Sequence, residues 1–357
     1  MATKRTDDDI AIIGWHQSPM VRATDKTETQ MLLEVITGAV EHAGITRADL
    51  DFTCAGSCDY VAGQAFSFVQ NIDAIGAWPP KRDSHVEMDG AWALYEAWVR
   101  LLIGDIDVAL ATGSGRSSTA DPGVIYPMEM DPYYLAPLGV DAMTFAGLQA
   151  NVLVDKGVVT ERQMAEVAAR SRRDAKANPN AQVRGDFDVD ALLAEDYVRS
   201  PLRRHDLPPI TDGASAVIIA RGDKARELCS RPVWITGFAH YAEIHYAGLR
   251  DLTQAESVTL AGKAAGLEDA PVEVAELQAA FTHEEPLLVS ALGLGDDVAI
   301  NPSGGPLAGN PIMSTGLVRI IEAASRIHEG TNARTLAHST SGPCLQQNLV
   351  CILEGED

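Results

Sequence analysis

Apolar and polar positions along the chain follow two alternating rhythms: short apolar runs, and longer stretches with apolar residues three and four apart. "DIAIIGWHQ" (residues 9–17) is a short apolar strand running into a Gly-centred turn. "TETQMLLEVITGAVEHAGI" then places Met31, Leu32, Val35, Ile36 and Val40 at helical spacing, and Gly44 is a natural stop. The strand "LDFTCAGS", the helix "GAWALYEAWVRLLIGD" and the strand "VALATGSG" continue the alternation. Strands alternating with helices predict a mostly parallel sheet covered by helices.

The pattern returns later in the chain. "RPVWITGFAHY" (231–241) is again a strand running into Gly and a polar turn. "ITGAVEHAGITRADLDFTCAG" (36–56) and "TLAGKAAGLEDAPVEVAELQA" (259–279) share one order: helix, Ala-Gly-aliphatic, acidic linker, strand. "NPSGGPLAGNPIMSTGLVRIIEAASRIHEG" opens a second helix from a Gly-rich loop, and "ARTLAHSTSG" and "NLVCILEGE" supply closing strands. Two similar α/β halves follow, 1–228 and 229–357. An irregular insert at 121–209, rich in Pro, Tyr and Met at its start, lies between the repeats, where it is expected to cover an active-site mouth.

Length agrees with two halves, since 357 residues exceed what one core usually fills. The balance of 46% hydrophobic and 22% charged residues is that of a soluble globular protein. No eighteen-residue apolar run and no N-terminal signal pattern stand out, which points to the cytoplasm. A net charge of -22 repels phosphate backbones and anionic membranes, so neither nucleic acid nor membrane is an expected partner. One local Arg or helix N-terminus still suffices for an anionic small ligand. The five cysteines (Cys54, Cys58, Cys229, Cys344, Cys351) form neither a disulfide framework nor a zinc ligand set and read as buried thiols.

"HVEMDGAWALYEAW" (85–98) reads as a strand end, a sharp turn at Gly90 and an amphipathic helix. Such a corner is a good place for a nucleophile, yet it carries no Ser, Cys, Thr or Lys. His85, Glu87 and Asp89 flank it, with the helix dipole a sufficient reason for the acids. Trp92, Tyr95 and Trp98 lie at helical spacing and suit packing against a sheet or a subunit interface.

Three longer pieces carry a family resemblance. They are "SPLRRHDLPPITDGASAVIIA", similar to a P-L-x-x-x-D-x-x-P-x-x-D-G-A-x-A run; "NPSGGPLAGNPIMSTG", similar to N-P-S-G-G…G-H-P-x-x-x-T-G; and "AFTHEEPLLVSALGLG", similar to F-x-x-N-E-x-x-x-x-E-x-L-G-L. The chain thereby resembles the thiolase superfamily, and within it the sterol-carrier-type, lipid-transfer-protein-like homologues. The resemblance implies a five-layered αβαβα fold made of two βαβαβαββ halves. It also implies four catalytic positions. The nucleophilic Cys of V-N-x-x-C falls on Gly90, the His of G-H-P on Asn310, and the His of H-D-x-F on Gln278. The second Cys falls near 341–343, with Cys344 close by. All four are expected to be substituted.

Without a thiolate, thiolysis and Claisen condensation are not expected, and a degenerate acyltransferase is the least favoured reading. Some lipid-transfer-protein-like homologues look like aldol lyases that cleave β-hydroxyacyl-CoA thioesters in sterol side-chain breakdown. A retro-aldol step needs a base and a stabiliser for the enolate, but no nucleophile. Those homologues place a Tyr where Gln278 stands, so this chain departs from them too. His283, with Glu284 and Glu285 as possible orienting carboxylates, and His338 are the candidate bases. Asn310 and Gln278 could donate to a thioester oxygen or only satisfy loop carbonyls. The expectation is a β-hydroxyacyl-CoA lyase with a coenzyme A thioester as substrate and no further cofactor or metal. Two alternatives stay open: a non-catalytic subunit supporting a partner thiolase or aldolase, and an acyl-CoA or lipid carrier. The resemblance implies a homo- or hetero-oligomer, with a second thiolase-like chain or an OB-fold, zinc-ribbon protein.

Overall fold

A period of two along each strand and of 3.6 along each helix sorts the side chains into layers. The computed structural model describes residues 6, 8–76, 78, 80–128 and 130–356. Its strands are β1 (Ile10–Gln17), β2 (Phe52–Gly56), β3 (Arg82–Val86), β4 (Val108–Arg116), β5 (Tyr197–Arg199) and β6 (Leu202–Arg203). They continue with β7 (Asp212–Arg221), β8 (Val233–Ala242), β9 (Val274–Leu277), β10 (Ala299–Ile300), β11 (Arg334–Ser341) and β12 (Gln347–Glu354). The helices are α1 (Glu28–Ala43), α2 (Asp59–Ala62), α3 (Val69–Ile75), α4 (Gly90–Ile103), α5 (Pro122–Met128) and α6 (Ala142–Asp155). After them come α7 (Glu161–Asp174), α8 (Val189–Leu193), α9 (Gly222–Leu228), α10 (Glu256–Ala264), α11 (Glu284–Ala291) and α12 (Thr315–His328).

Strands line up in the order β10-β9-β11-β12-β8-β1-β7-β4-β2-β3. Read outward from the middle, β1-β7-β4-β2-β3 repeats as β8-β12-β11-β9-β10, so both halves use one plan. The halves join where β1 and β8 pair antiparallel, Ile10 opposite Ile235 and Ile12 opposite Val233. Within each half, β2 and β9 pair in parallel with both neighbours. β7 and β12 pair antiparallel on both sides. The sheet is therefore mixed rather than mostly parallel. In the second half the cause is local: the short connection after β11 is a hairpin, and a hairpin cannot join parallel strands.

Alternate strand residues face different layers. Ile10, Ile12, Ala109, Ala111, Val217 and Ile219 pack with α4 and α12, together with Leu349, Cys351 and Leu353 of the second half. Ala11, Ile13, Val108, Leu110, Ala216 and Ile218 face α1 on the outside. Val350 and Ile352 face the opposite outside, under α10 and α11. Helix, sheet, paired helices, sheet, helix: this is the expected five-layer αβαβα arrangement, with α4 and α12 as its middle layer. Tyr95 and Trp98 of α4 pack against Phe238 of β8, with ring centroids 5.3 and 5.7 Å away. Helix α1 begins with a Thr27–Gln30 capping box and ends at Gly44 in the left-handed conformation. Among the described residues no helix is long and apolar enough to cross a membrane.

Candidate functional site at the α4 and α12 N-termini

The two middle-layer helices start at the same place, and one carboxylate caps both. Asp89 accepts the amide of Ala91 in its own helix at 2.9 Å, and those of Gly316 and Leu317 at the start of α12 at 3.0 Å each. It is 2% exposed. Burial pushes its carboxyl up, while the three amides and the charge of Arg319 pull the other way. Gly90 follows, and its amide donates to the Met313 carbonyl at 2.9 Å. A Cβ here would lie 2.9 Å from Gly113 Cα, and 3.0 Å from both Gly113 N and Leu317 Cδ2. A Cβ on Gly56 would in turn lie 2.5 Å from Gly90 N. Three backbones thus meet at closest approach on Gly56, Gly90 and Gly113. The side-chain space at Gly90 is filled by β4 and Leu317.

The second-half corner is polar. After β9, Gln278 N donates to the His338 carbonyl at 3.1 Å. Its Oε1 accepts the Ser339 hydroxyl at 2.8 Å and the Thr340 amide at 3.1 Å. Two donors on one oxygen fix the orientation of the amide, leaving Nε2 without a partner among the described residues. Asn310 repeats the device. Its Oδ1 accepts the Thr315 hydroxyl at 2.8 Å, its backbone N donates to Thr211 Oγ1 at 3.2 Å, and Nδ2 is left over. Ser339 and Asp89 both close on Gly316, so tightly that a Cβ there would collide with each. The supports of Gln278 and Asn310 therefore meet on consecutive residues, Thr315 and Gly316, at the positive end of α12.

The two histidines are not brought to this point. On β11 the alternation puts Ser339 inward and His338 outward. His338 Nε2 meets Asn348 Oδ1 at 3.1 Å, and Asn348 reaches Ser257 of α10 at 2.7 Å. His338 thus lies across the sheet from Asp89, fully buried, its imidazole pushed down to about 4 by desolvation. His283 precedes α11, and its Nε2 lies 3.4 Å from Gln149 Oε1 of α6. Burial pushes it down to about 3, and its Nδ1 has no partner among the described residues. The expected orienting carboxylates do not reach it. Glu285 pairs with Arg170 and accepts Asn301 Nδ2 at 3.0 Å, and Glu284 turns back to the Phe281 amide at 3.1 Å. Both rings are neutral at pH 7 and poorly placed to gain a proton.

Other residues take plain roles. His85 is exposed and stacks on Phe68 at 4.1 Å, and Glu87 accepts the Asp59 amide at the start of α2. The Cys344 thiol, pushed up to about 12 by burial, donates to the Phe145 carbonyl. Cys54 is likewise pushed to about 12 by burial, so neither thiol is poised as a nucleophile. Sequence reasoning passed over Ser339 and Thr315, which aim the two amides. Ser339 meets Gln278 only because β11 pairs with β9, and Thr315 meets Asn310 across the turn that opens α12.

No family model matches the chain. An acetyl-CoA acetyltransferase of Methanothermobacter thermautotrophicus is 26% identical over 362 residues, 94% of each chain. A 17-hydroxy-3-oxo-4-pregnene-20-carboxyl-CoA lyase of Mycobacterium tuberculosis is 23% identical over 64% of this chain and 62% of its own. Among solved structures, the Ltp2-ChsH2(DUF35) aldolase superposes with a TM-score of 0.81 at 18% identity, over 97% of this chain and 98% of that one. Human mitochondrial 3-ketoacyl-CoA thiolase gives 0.79 at 16% identity, over 98% and 99%. With its sheet order, its five layers and these superpositions along nearly the whole chain, this protein has the thiolase fold.

Proposed function

We propose that this chain is a carbon–carbon lyase of acyl-CoA metabolism, cleaving a β-hydroxyacyl-CoA by a retro-aldol step. The observation that carries the reading is the pair of oriented amides. Gln278 and Asn310 each turn their oxygen onto fixed donors whose supports meet at the α12 N-terminus, and each leaves an NH2 group without a partner among the described residues. Such donors suit a thioester oxygen that becomes an enolate. Gly90, by contrast, leaves no space for a covalent nucleophile. In the reaction a base removes the β-hydroxyl proton and the Cα–Cβ bond breaks. The β-carbon leaves as an aldehyde or ketone, and the bonding pair becomes the thioester enolate. Protonation at Cα then yields a shorter acyl-CoA. The lyase and aldolase relatives support this chemistry, and a steroid side chain is one acyl group that would fit the lyase relative's name.

A partner belongs to the proposal. The aldolase neighbour joins Ltp2 to ChsH2(DUF35), and we assign this chain a comparable OB-fold, zinc-ribbon companion. A second thiolase-like chain has a place as well. Among the described residues edge strand β3 pairs with β2 alone, and Phe66 and Trp78 near it are 68% and 87% exposed.

The test is Gln278→Leu in the complex recovered from the native host. Loss of one oxyanion donor should lower kcat on a β-hydroxyacyl-CoA about 100-fold or more, with a smaller change in KM. A second reading, a non-catalytic subunit supporting a partner's site, is favoured by the burial of both histidines. It requires turnover to survive that substitution.

A further inference from the structure

With His283 turned toward α6 and His338 across the sheet, the lyase reading lacks a base. One buried acid stands apart from the others. Glu276 meets Arg319, Glu285 meets Arg170, Glu28 meets Ser114, Asp206 meets Thr282 and Asp212 meets Ser118. Asp89 takes three amides. Glu284, 5% exposed, has only the backbone amides of Phe281 and Ala280, with no cation or hydroxyl among the described residues. Those amides belong to the second-half corner itself, two and three residues after Gln278. A buried carboxylate so thinly compensated is costly unless it has a use.

The loop beside it is strained. Cys344 and Leu345 sit at φ +55° and +56°, left-handed values that non-glycine residues adopt only under strain. Arg250 holds that loop by donating to the Pro343 and Cys344 carbonyls at 3.0 Å each, and Asn348 donates to the Leu345 carbonyl at 2.7 Å. The loop follows β11, whose Ser339 and Thr340 orient Gln278. Glu284 thus accepts from the corner that carries Gln278, and it lies near enough to the loop that closes β11 for its charge to raise the Cys344 thiol.

We propose that Glu284 is the catalytic base of the lyase, taking the β-hydroxyl proton and returning it to the enolate carbon, while Gln278 and Asn310 hold the thioester oxygen. The step balances without a co-reactant. The carboxylate gains the hydroxyl proton as the Cα–Cβ pair moves into the enolate, and the carboxylic acid then loses that proton to Cα. Burial raises the Glu284 carboxyl to about 7, close to the working pH, as proton transfer in both directions favours. The titratable and charged groups around it are His283 beside it, Glu285 with Arg170, and Cys344 with the Arg250 that clamps its carbonyl.

The proposal rests on the lyase reading, and two measurements keep their failures apart. In the native complex Glu284→Gln retains an oxygen for the Phe281 and Ala280 amides but loses the proton site. Turnover of a β-hydroxyacyl-CoA should fall about 100-fold or more, and the rise in kcat/KM through about pH 7 should vanish. Wild-type turnover with an unchanged pH profile would overturn the assignment. The second measurement needs no turnover: infrared difference titration of wild type against Glu284→Gln, with and without a saturated acyl-CoA that cannot be cleaved. A carboxyl that titrates near 7 and moves when the thioester binds places Glu284 against the ligand even if no substrate is cleaved. One that is blind to the thioester removes it from the site. Glu284→Asp, which keeps a carboxyl, serves in both assays if the Gln variant does not fold.

Discussion

Restoring a cysteine at the first-half corner should fail, for a steric reason that can be sized. In Gly90→Cys the new Cβ would stand 2.9 Å from Gly113 Cα and 3.0 Å from Leu317 Cδ2. Relaxed carbon contacts lie at about 3.5–4.0 Å, so the overlap is roughly 0.6 Å or more. Leu317 can shift its methyl. Gly113 cannot easily move, because β4 is paired through it to β2 on one side and to β7 on the other. Overpacking of this kind costs about 1–3 kcal/mol, and the better helix propensity of a non-glycine residue returns at most about 1. A net loss of about 1–2 kcal/mol is expected, read as a lower urea midpoint at unchanged m-value. Gly90→Ala should lose a similar amount, because the clash is with Cβ. Intact-protein mass spectrometry after incubation with an acyl-CoA should find no adduct on the Cys variant. A Gly90→Cys protein as stable as wild type, carrying an acyl group at residue 90, would refute the closed corner.

Other consequences follow from the same neighbourhood. Asp89→Ala strips the acceptor from three amides at two helix starts, and should cost about 2–4 kcal/mol in urea unfolding against about 0.5–2 for one ordinary cap. Glu276→Ala leaves Arg319 buried and unpaired, and a loss of about 3–5 kcal/mol in the same assay is expected. For pH, His283 and His338 titrate near 3 and 4 in the fold and near 6.5 in the unfolded chain. The unfolded chain binds those protons first, so their contribution is complete above pH 6.5 and falls by about 1.4 kcal/mol per unit for each histidine as the pH drops toward 4. Glu284 has the opposite sign: its folded value of about 7 lies above its ordinary 4.5, so it favours the fold below pH 4.5 and loses about 3 kcal/mol as the pH rises to 7. As the pH drops from 8 to 5, His338→Gln should hold or raise its urea midpoint relative to the wild-type trend, and Glu284→Gln should fall more steeply than wild type.

Much of the fold is legible in the pattern of the chain because each half writes the same elements in the same order. The Ala-Gly-aliphatic echo marks equivalent helix ends, and alternating residues such as Ile10 and Ala11 already name two faces. What the pattern misses is set by pairing at a distance. Strand β10 is two residues long, and β7 gives no local sign that it enters antiparallel. Helices α2 and α3 are short, with partly exposed residues and little periodic signal. The corner at Gly90 and the amides at Gln278 and Asn310 were visible as substitutions in a resemblance. That Gly90 is closed depends on Gly56 and Gly113, neighbours only through the sheet. The histidines misled because residue type suggests a base, whereas strand parity turns His338 outward and burial keeps His283 neutral. Glu284, read from sequence only as a support for His283, differs from other acids by what it lacks, and absent partners leave no mark in a sequence.

The central claim is that this thiolase fold breaks a carbon–carbon bond without a covalent intermediate. The most direct measurement incubates the native complex with a β-hydroxyacyl-CoA in D2O and weighs the small products and the intact chain together. The account predicts an aldehyde or ketone in step with a shorter acyl-CoA carrying deuterium at Cα, and a chain of unchanged mass. An acyl adduct on the chain during turnover, or carbonyl release that persists undiminished in Gln278→Leu, would contradict it.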